Sequence, residues 1–86
     1  MKLKEGFILR EVAGEYLAIS VSNTENPSQL IVLNSVSAAI WQSLQTEKNI
    51  DEIVREITSE FSVSENEARE DVTAFVGQLK ELNLLV

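Results

Sequence analysis

The chain has 86 residues, 44% apolar and 24% charged, the size and balance of one globular domain with a single modest core. It contains neither Cys nor His, which excludes disulfides, thiolate chemistry, imidazole metal ligands and histidine general bases. Seven basic and fourteen acidic residues give a net charge of −7; residues 1–33 carry three basic and four acidic side chains, residues 34–86 four and ten.

A surface so acidic repels phosphate backbones, so no nucleic acid is expected as a partner. The start, MKLKEGFILREVAGEY, lacks the long apolar stretch and small-residue cleavage site of a signal peptide. No run is long enough to span a bilayer. The expectation is a soluble cytoplasmic protein, one domain over residues 1–86, with no membrane partner.

In chain order, a period near 2 comes first. FILREV (7–12) is followed by Ala13-Gly14 and then EYLAISV (15–21), two strands joined by a tight turn in which Gly14 supplies positive φ. Leu17, Ile19 and Val21 share one face of the second strand; Tyr16, Ala18 and Ser20 share the other. SNTENPSQ (22–29) is polar, holds the single Pro and reads as a loop. Leu30, Ile31, Val32 and Leu33 form a third strand, apolar on both faces. Such strands are normally buried inside a sheet, yet an antiparallel meander of three strands leaves this one at an edge.

From Asn34 the period becomes 3.6. Asn34 or Ser35 caps a first helix that buries Val36, Ala39, Ile40 and Leu44, with Trp41 flanking the stripe. Asn49-Ile50-Asp51-Glu52 resembles a capping box and opens a second helix with Ile50, Ile53, Val54, Ile57 and Phe61 on one face. Ser64-Glu65-Asn66-Glu67 is a second capping box. The third helix carries Ala68, Val72, Phe75, Val76, Leu79 and Leu82 as its apolar stripe and stops at Asn83. Leu84, Leu85 and Val86 then return to the core. The order βββααα in one α+β domain is winged-helix-like in outline.

The chemistry-bearing residues are sparse. Serines are plentiful, but no His stands ready to activate one, and their positions suit caps and solvated loops. The carboxylates of the second and third helices lie opposite the apolar stripes as a solvated face, without the loop pattern of a hard-cation site. The three glycines, Gly6, Gly14 and Gly77, are too scattered for a phosphate loop. The reading is a non-enzyme without cofactor or metal. As a DNA-binding winged helix it would present a second helix with one basic and four acidic residues and a third with two and five, poorly suited to phosphates. A carrier protein would use Ser35 in Asn34-Ser35-Val36, behind three strands that carriers lack. An added strand at Leu30–Leu33, with the third helix and Val76 walling a groove beside it, fits better.

The strings FILREVAGEY, LIVLNSVSAAIWQSL and IDEIVREITSEFSVSENEAREDVTAFVGQLKELNLL resemble the PqqD-like family over about residues 5–86. Four features carry the likeness: Arg10-Glu11-Val12-Ala13-Gly14-Glu15; the Leu33-Asn34 junction with Ala38, Ala39 and Trp41 after it; Phe61-x-Val63 before Ser64; and Asp71-Val72-x-x-Phe75-Val76-x-x-Leu79. The resemblance implies a winged-helix-like fold and recognition of the leader of a ribosomally made, post-translationally modified precursor peptide. By the same resemblance, the leader adds to strand 3 in a groove walled by helix 3. Mapped here, the contact set is Leu30, Ile31, Val32 and Leu33 on the edge, Val72, Phe75, Val76 and Leu79 on the helix, and Arg69 as a charge partner. Helical amphipathicity argues that Phe75 and Leu79 are core, leaving Val76 as the groove residue. The implied partner is a separate modifying enzyme such as a radical-SAM protein, a protease or a cyclase. The alternative is a regulatory or scaffold protein acting through protein contacts or as a homodimer.

Overall fold

The computed structural model describes residues 1–20 and 30–86. Three strands, β1 (Phe7–Val12), β2 (Glu15–Ser20) and β3 (Leu30–Leu33), precede three helices, α1 (Ser35–Ser43), α2 (Ile50–Glu60) and α3 (Glu65–Glu81). The strands form one antiparallel sheet in the order β1-β2-β3. The expected α+β, winged-helix-like order is therefore what the chain adopts. Val21 and the loop expected over 22–29 lie outside the described residues.

The β1–β2 turn has positive φ at both central residues, 53° at Ala13 and 83° at Gly14. That is a type I′ arrangement, whose twist matches the flanking strands. Gly14 meets it freely, whereas Ala13 carries a Cβ in the left-handed region. Register then sets the faces. Phe7, Leu9, Tyr16, Ile31 and the buried Ala18 and Leu33 turn toward the helices. Ile8, Ile19 and Leu30 align as one row on the opposite face, and Arg10, Leu17 and Val32 as the next. No helix covers that face, so Leu30 is 52% and Val32 60% exposed. The apolar run of β3 thus belongs to a two-layer structure, in which alternate side chains face water.

The core sits between the sheet and the helices. Trp41 is fully buried there and meets the edge of the Phe7 ring, with centroids 5.5 Å apart and planes at 77°. Ala38, Ile40, Trp41 and Leu44 are the buried residues around α1, while Val36 and Ala39 are only partly covered. The stripe expected from spacing is therefore rotated: α1 lies between sheet and helices and must bury more than one face. From α2 come Ile53, Val54 and Ile57, and from α3 Ala68, Val72, Phe75, Val76 and Leu79.

Each helix start is capped by side chain. Asn34 Oδ1 accepts from Ser37 N–H (2.8 Å). Asn49 and Glu52 complete a reciprocal capping box, at 2.8 and 3.0 Å. At α3 the Ser64 hydroxyl accepts from Glu67 N–H (3.1 Å), one half of the expected box. Asn83, with φ 60°, ends α3 in the left-handed conformation. Leu82, placed by spacing in the stripe, is 49% exposed because it is the C-cap rather than part of the last turn.

Of the C-terminal residues Leu84 is buried, Leu85 partly so, and Val86 is exposed rather than returned to the core. The tail is held by backbone bonds to the first residues, Lys4 N–H to Leu84 O (2.8 Å) and Val86 N–H to Lys2 O (2.7 Å), with Leu3 buried between the tail and Leu44. Burial of Leu3 left no mark in the periodicity, because a single apolar residue between two lysines has no period.

One polar cluster ties α1 to α2. The Glu56 carboxylate accepts from Lys48 Nζ (2.8 Å) and from the Ser43 hydroxyl. These bonds, the lysine's first, hold its carboxyl below the usual carboxylate range. A lowered folded-state pKa contributes stability at pH values above the unfolded pKa, and the contribution fades as pH falls through the folded one. Glu56→Gln is expected to cost under about 1 kcal/mol at pH 7, since the side chain is half-exposed, and its deficit relative to the parent should vanish in acid. Urea titrations at neutral pH and at pH about 3 test this; a deficit unchanged in acid contradicts it. At the hairpin, Ala13→Asn should raise stability by roughly 0.5–1 kcal/mol and Gly14→Ala lower it by about 1 kcal/mol, read from thermal midpoints.

Candidate functional site

An edge strand carries backbone N–H and C=O groups on its outer side without ladder partners. Here β3 pairs with β2 through Leu30–Ile19, Ile31–Ala18, Val32–Leu17 and Leu33–Tyr16, and among the described residues no strand lies on its other side. Neither Lys nor Pro blunts the edge.

What lies beside that edge follows from how the helices pack. α1 packs against β2 and β3, whereas α3 packs mainly on α2 and also on α1. α1 is thus the helix that touches both the sheet and α3. A cleft of about 260 Å³ opens between α1 and α3, bordered by Asn34, the residue that follows β3. Its floor is Asn34, Val36, Ser37 and Ile40; its wall is Asp71, Ala74, Phe75 and Gln78. The four wall residues recur at i, i+3, i+4 and i+7, one narrow stripe of α3. A larger depression of about 580 Å³ is lined, among the described residues, by Asn66, Arg69, Glu70, Thr73 and Ala74 of α3.

The residues expected from sequence divide accordingly. Leu30 and Val32 project to the open face of the sheet, Ile31 is half-buried and Leu33 is core. Val72, Val76 and Leu79 are buried among the helices. Phe75, 7% exposed, belongs to the core and also borders the cleft; Val76 does not border it. Arg69 is exposed and turned toward α2, with Nη1 2.9 Å from Asp51 and Nη2 3.6 Å from Glu65. The hydrogen bond to Asp51 holds the guanidinium still more firmly protonated.

Spacing did not single out Val36, Ser37, Asp71, Ala74 or Gln78 as cleft residues. Apolar periodicity marks the centre of a buried stripe, whereas a cleft wall runs along its margin, where small and polar residues mix. The signal available was Ala74, a small residue beside Phe75 on an otherwise charged flank. Among the described residues no group of three His, Cys, Asp or Glu side chains converges as a metal site, and no helix is long and apolar enough to cross a membrane.

These features define the class: a winged-helix-like α+β domain with an open sheet edge beside a helix-walled cleft. Over residues 8–85 the sequence matches the family described as coenzyme PQQ synthesis protein D (PqqD). The chain belongs to that family. No curated protein sequence matches it. Among solved structures it is similar to TbiB1 in complex with the TbiA(beta) leader peptide, at 25% identity and a TM-score of 0.74, covering 99% of this chain and 94% of that one. It is also similar in fold to lasso peptide synthetase B1 complexed with the leader peptide, at 22% identity and a TM-score of 0.72, covering 96% and 93%.

The division of β3 into two faces has a measurable consequence. Val32→Thr should leave the unfolding free energy within about 0.5 kcal/mol of the parent, as a surface change does, while Leu33→Ala should cost about 2–5 kcal/mol as a core truncation. Urea unfolding of the two variants checks it; similar losses in both would mean that the strand's faces are not divided this way.

Proposed function

We propose that this chain captures the leader of a ribosomally made precursor peptide as a fourth strand on β3 and presents the attached peptide to a separate modifying enzyme. The observation that carries the reading is the edge of Leu30–Leu33, unpaired among the described residues, which leads at Asn34 into the cleft between α1 and α3. Membership of the PqqD family and likeness to two proteins solved with leader peptides support it. In physical terms the added strand gains main-chain hydrogen bonds, and the cleft receives side chains from the segment that runs on past Leu33.

The domain's role is non-catalytic. Holding the leader raises the effective concentration of the precursor at the enzyme's active site, provided that the enzyme and the domain engage it together. The partner is an enzyme that modifies the peptide, of the radical-SAM, protease or cyclase kind. Arg69, already paired with Asp51 and Glu65, would act at the groove only by leaving those partners.

The test is an isotope-labelled NMR titration with the leader of the short precursor peptide encoded nearest the gene. Shifts should concentrate on residues 30–37 and along the 71–78 stripe of α3. Ala74→Trp fills the cleft from an exposed position and should weaken binding at least about tenfold while the spectrum stays dispersed, since truncating or blocking a central contact commonly costs 1 kcal/mol or more. Shifts confined to the far side of α2, or full affinity in Ala74→Trp, would reject this groove.

A further inference from the structure

Resting on the strand-addition reading, we infer that the leader this chain takes is cationic where it leaves β3, with a Lys or Arg seated against Asp71. Three observations converge on that occupant. First, the cleft bordered by Asn34 mixes apolar side chains (Val36, Ile40, Ala74, Phe75) with the neutral polar Asn34, Ser37 and Gln78, and among the described residues its one charged side chain is Asp71. A segment continuing past Leu33 into this cleft meets that carboxylate among neutral neighbours.

Second, Asp71 has no cation of its own. Every Lys and Arg lies in the described residues, since residues 21–29 contain none, and none lines the cleft. Lys48 is held by Glu56, and Arg69 by Asp51 and Glu65. Arg55 donates to the Asp51 carbonyl, and Arg10 sits on β1, two strands from the free edge. Lys2 and Lys4 flank the C-terminal tail, and Lys80 is in the last turn of α3.

Third, the counter-charge that the fold itself places there is only the partial charge of a helix end, not a full cation. The N-terminus of α1 opens at the cleft and would favour an anion, but the Asn34 side chain caps it through Ser37 N–H at 2.8 Å. With a net charge of −7 on the whole chain, an approaching cationic segment is also steered toward the surface, and an acidic one is repelled. Selectivity follows from both: hydrogen bonds along β3 are indifferent to side chains, whereas the rim rejects a carboxylate.

The experiment uses the same leader in three forms: native, with its Lys and Arg replaced by Gln, and with them replaced by Glu. Their affinities are measured by fluorescence anisotropy against the parent chain and the Asp71→Asn and Asp71→Lys variants, both at an exposed position in the middle of α3. The Gln form should bind about threefold more weakly than native and the Glu form about tenfold, as expected for rim charge pairs. The gap should shrink as salt rises from about 50 to about 300 mM. Asp71→Asn should narrow the discrimination to within about twofold, and Asp71→Lys should reverse it. A native leader that binds without any Lys or Arg overturns the inference and leaves strand addition standing. So does discrimination that persists unchanged in both Asp71 variants. A leader that binds in none of its forms sinks strand addition and this inference together.

Discussion

Among the described residues the strand Leu30–Leu33 is paired on one side only, and that asymmetry frames the rest of the structure. β3 is held by four register pairs to β2 and anchored by Leu33 in the core. It ends at Asn34, which at once becomes the cap of α1. A short strand locked at one end against a helix start is stiff enough to act as a template. Its open side has the geometry that elsewhere accepts an added strand.

Helix packing sets what lies near the edge. α1 is the helix laid directly on β2 and β3, and α3 stands off from the sheet on the far side of α1. Between α1 and the Asp71–Gln78 stripe of α3 lies the cleft, bordered at the end of β3 by Asn34. Phe75 belongs to both worlds, packed into the core yet bordering the cleft. One wall of the cleft therefore rests on a side chain that also packs α3 into the core. The open face of the sheet differs: Leu30, Val32 and Val12 stand exposed on a surface that no helix crosses.

Charge is distributed to match. The basic residues of the helical part are engaged with α2 and α3 carboxylates or the Asp51 carbonyl, apart from Lys80 in the last turn of α3. The Lys48–Glu56 pair ties the α1–α2 loop to α2 and Arg69–Asp51 ties α3 to α2, and among the described residues several carboxylates of α3 have no ion-pair partner. Exposed pairs of this kind contribute little stability singly, but they take the cations away from the cleft. The result is a cleft of mixed apolar and neutral polar lining with one carboxylate, Asp71, among the described residues.

Much of this was legible in the chain itself. The change of period at Asn34, the Ala13-Gly14 turn, the Asn and Ser caps and the stop at Asn83 are local: each depends on residues within a few positions of one another, and the structure keeps each of them. The apolar stripes of α2 and α3 were equally visible, because a helix's own 3.6 period writes its buried face into the sequence. What the spacing could not reveal was where two elements leave a gap. Whether Phe75 or Val76 borders the cleft depends on how α3 meets α1, which face of β3 meets water on where α1 packs, and the burial of Leu3 on its contacts with Leu44 and the C-terminal tail. Each of these joins elements far apart in the chain, around the buried Trp41, Ile40 and Leu44. Sequence alone determined the elements, their order and the unpaired edge. The cleft beside that edge, and the carboxylate at its rim, exist only because three-dimensional packing holds α1 between the sheet and α3.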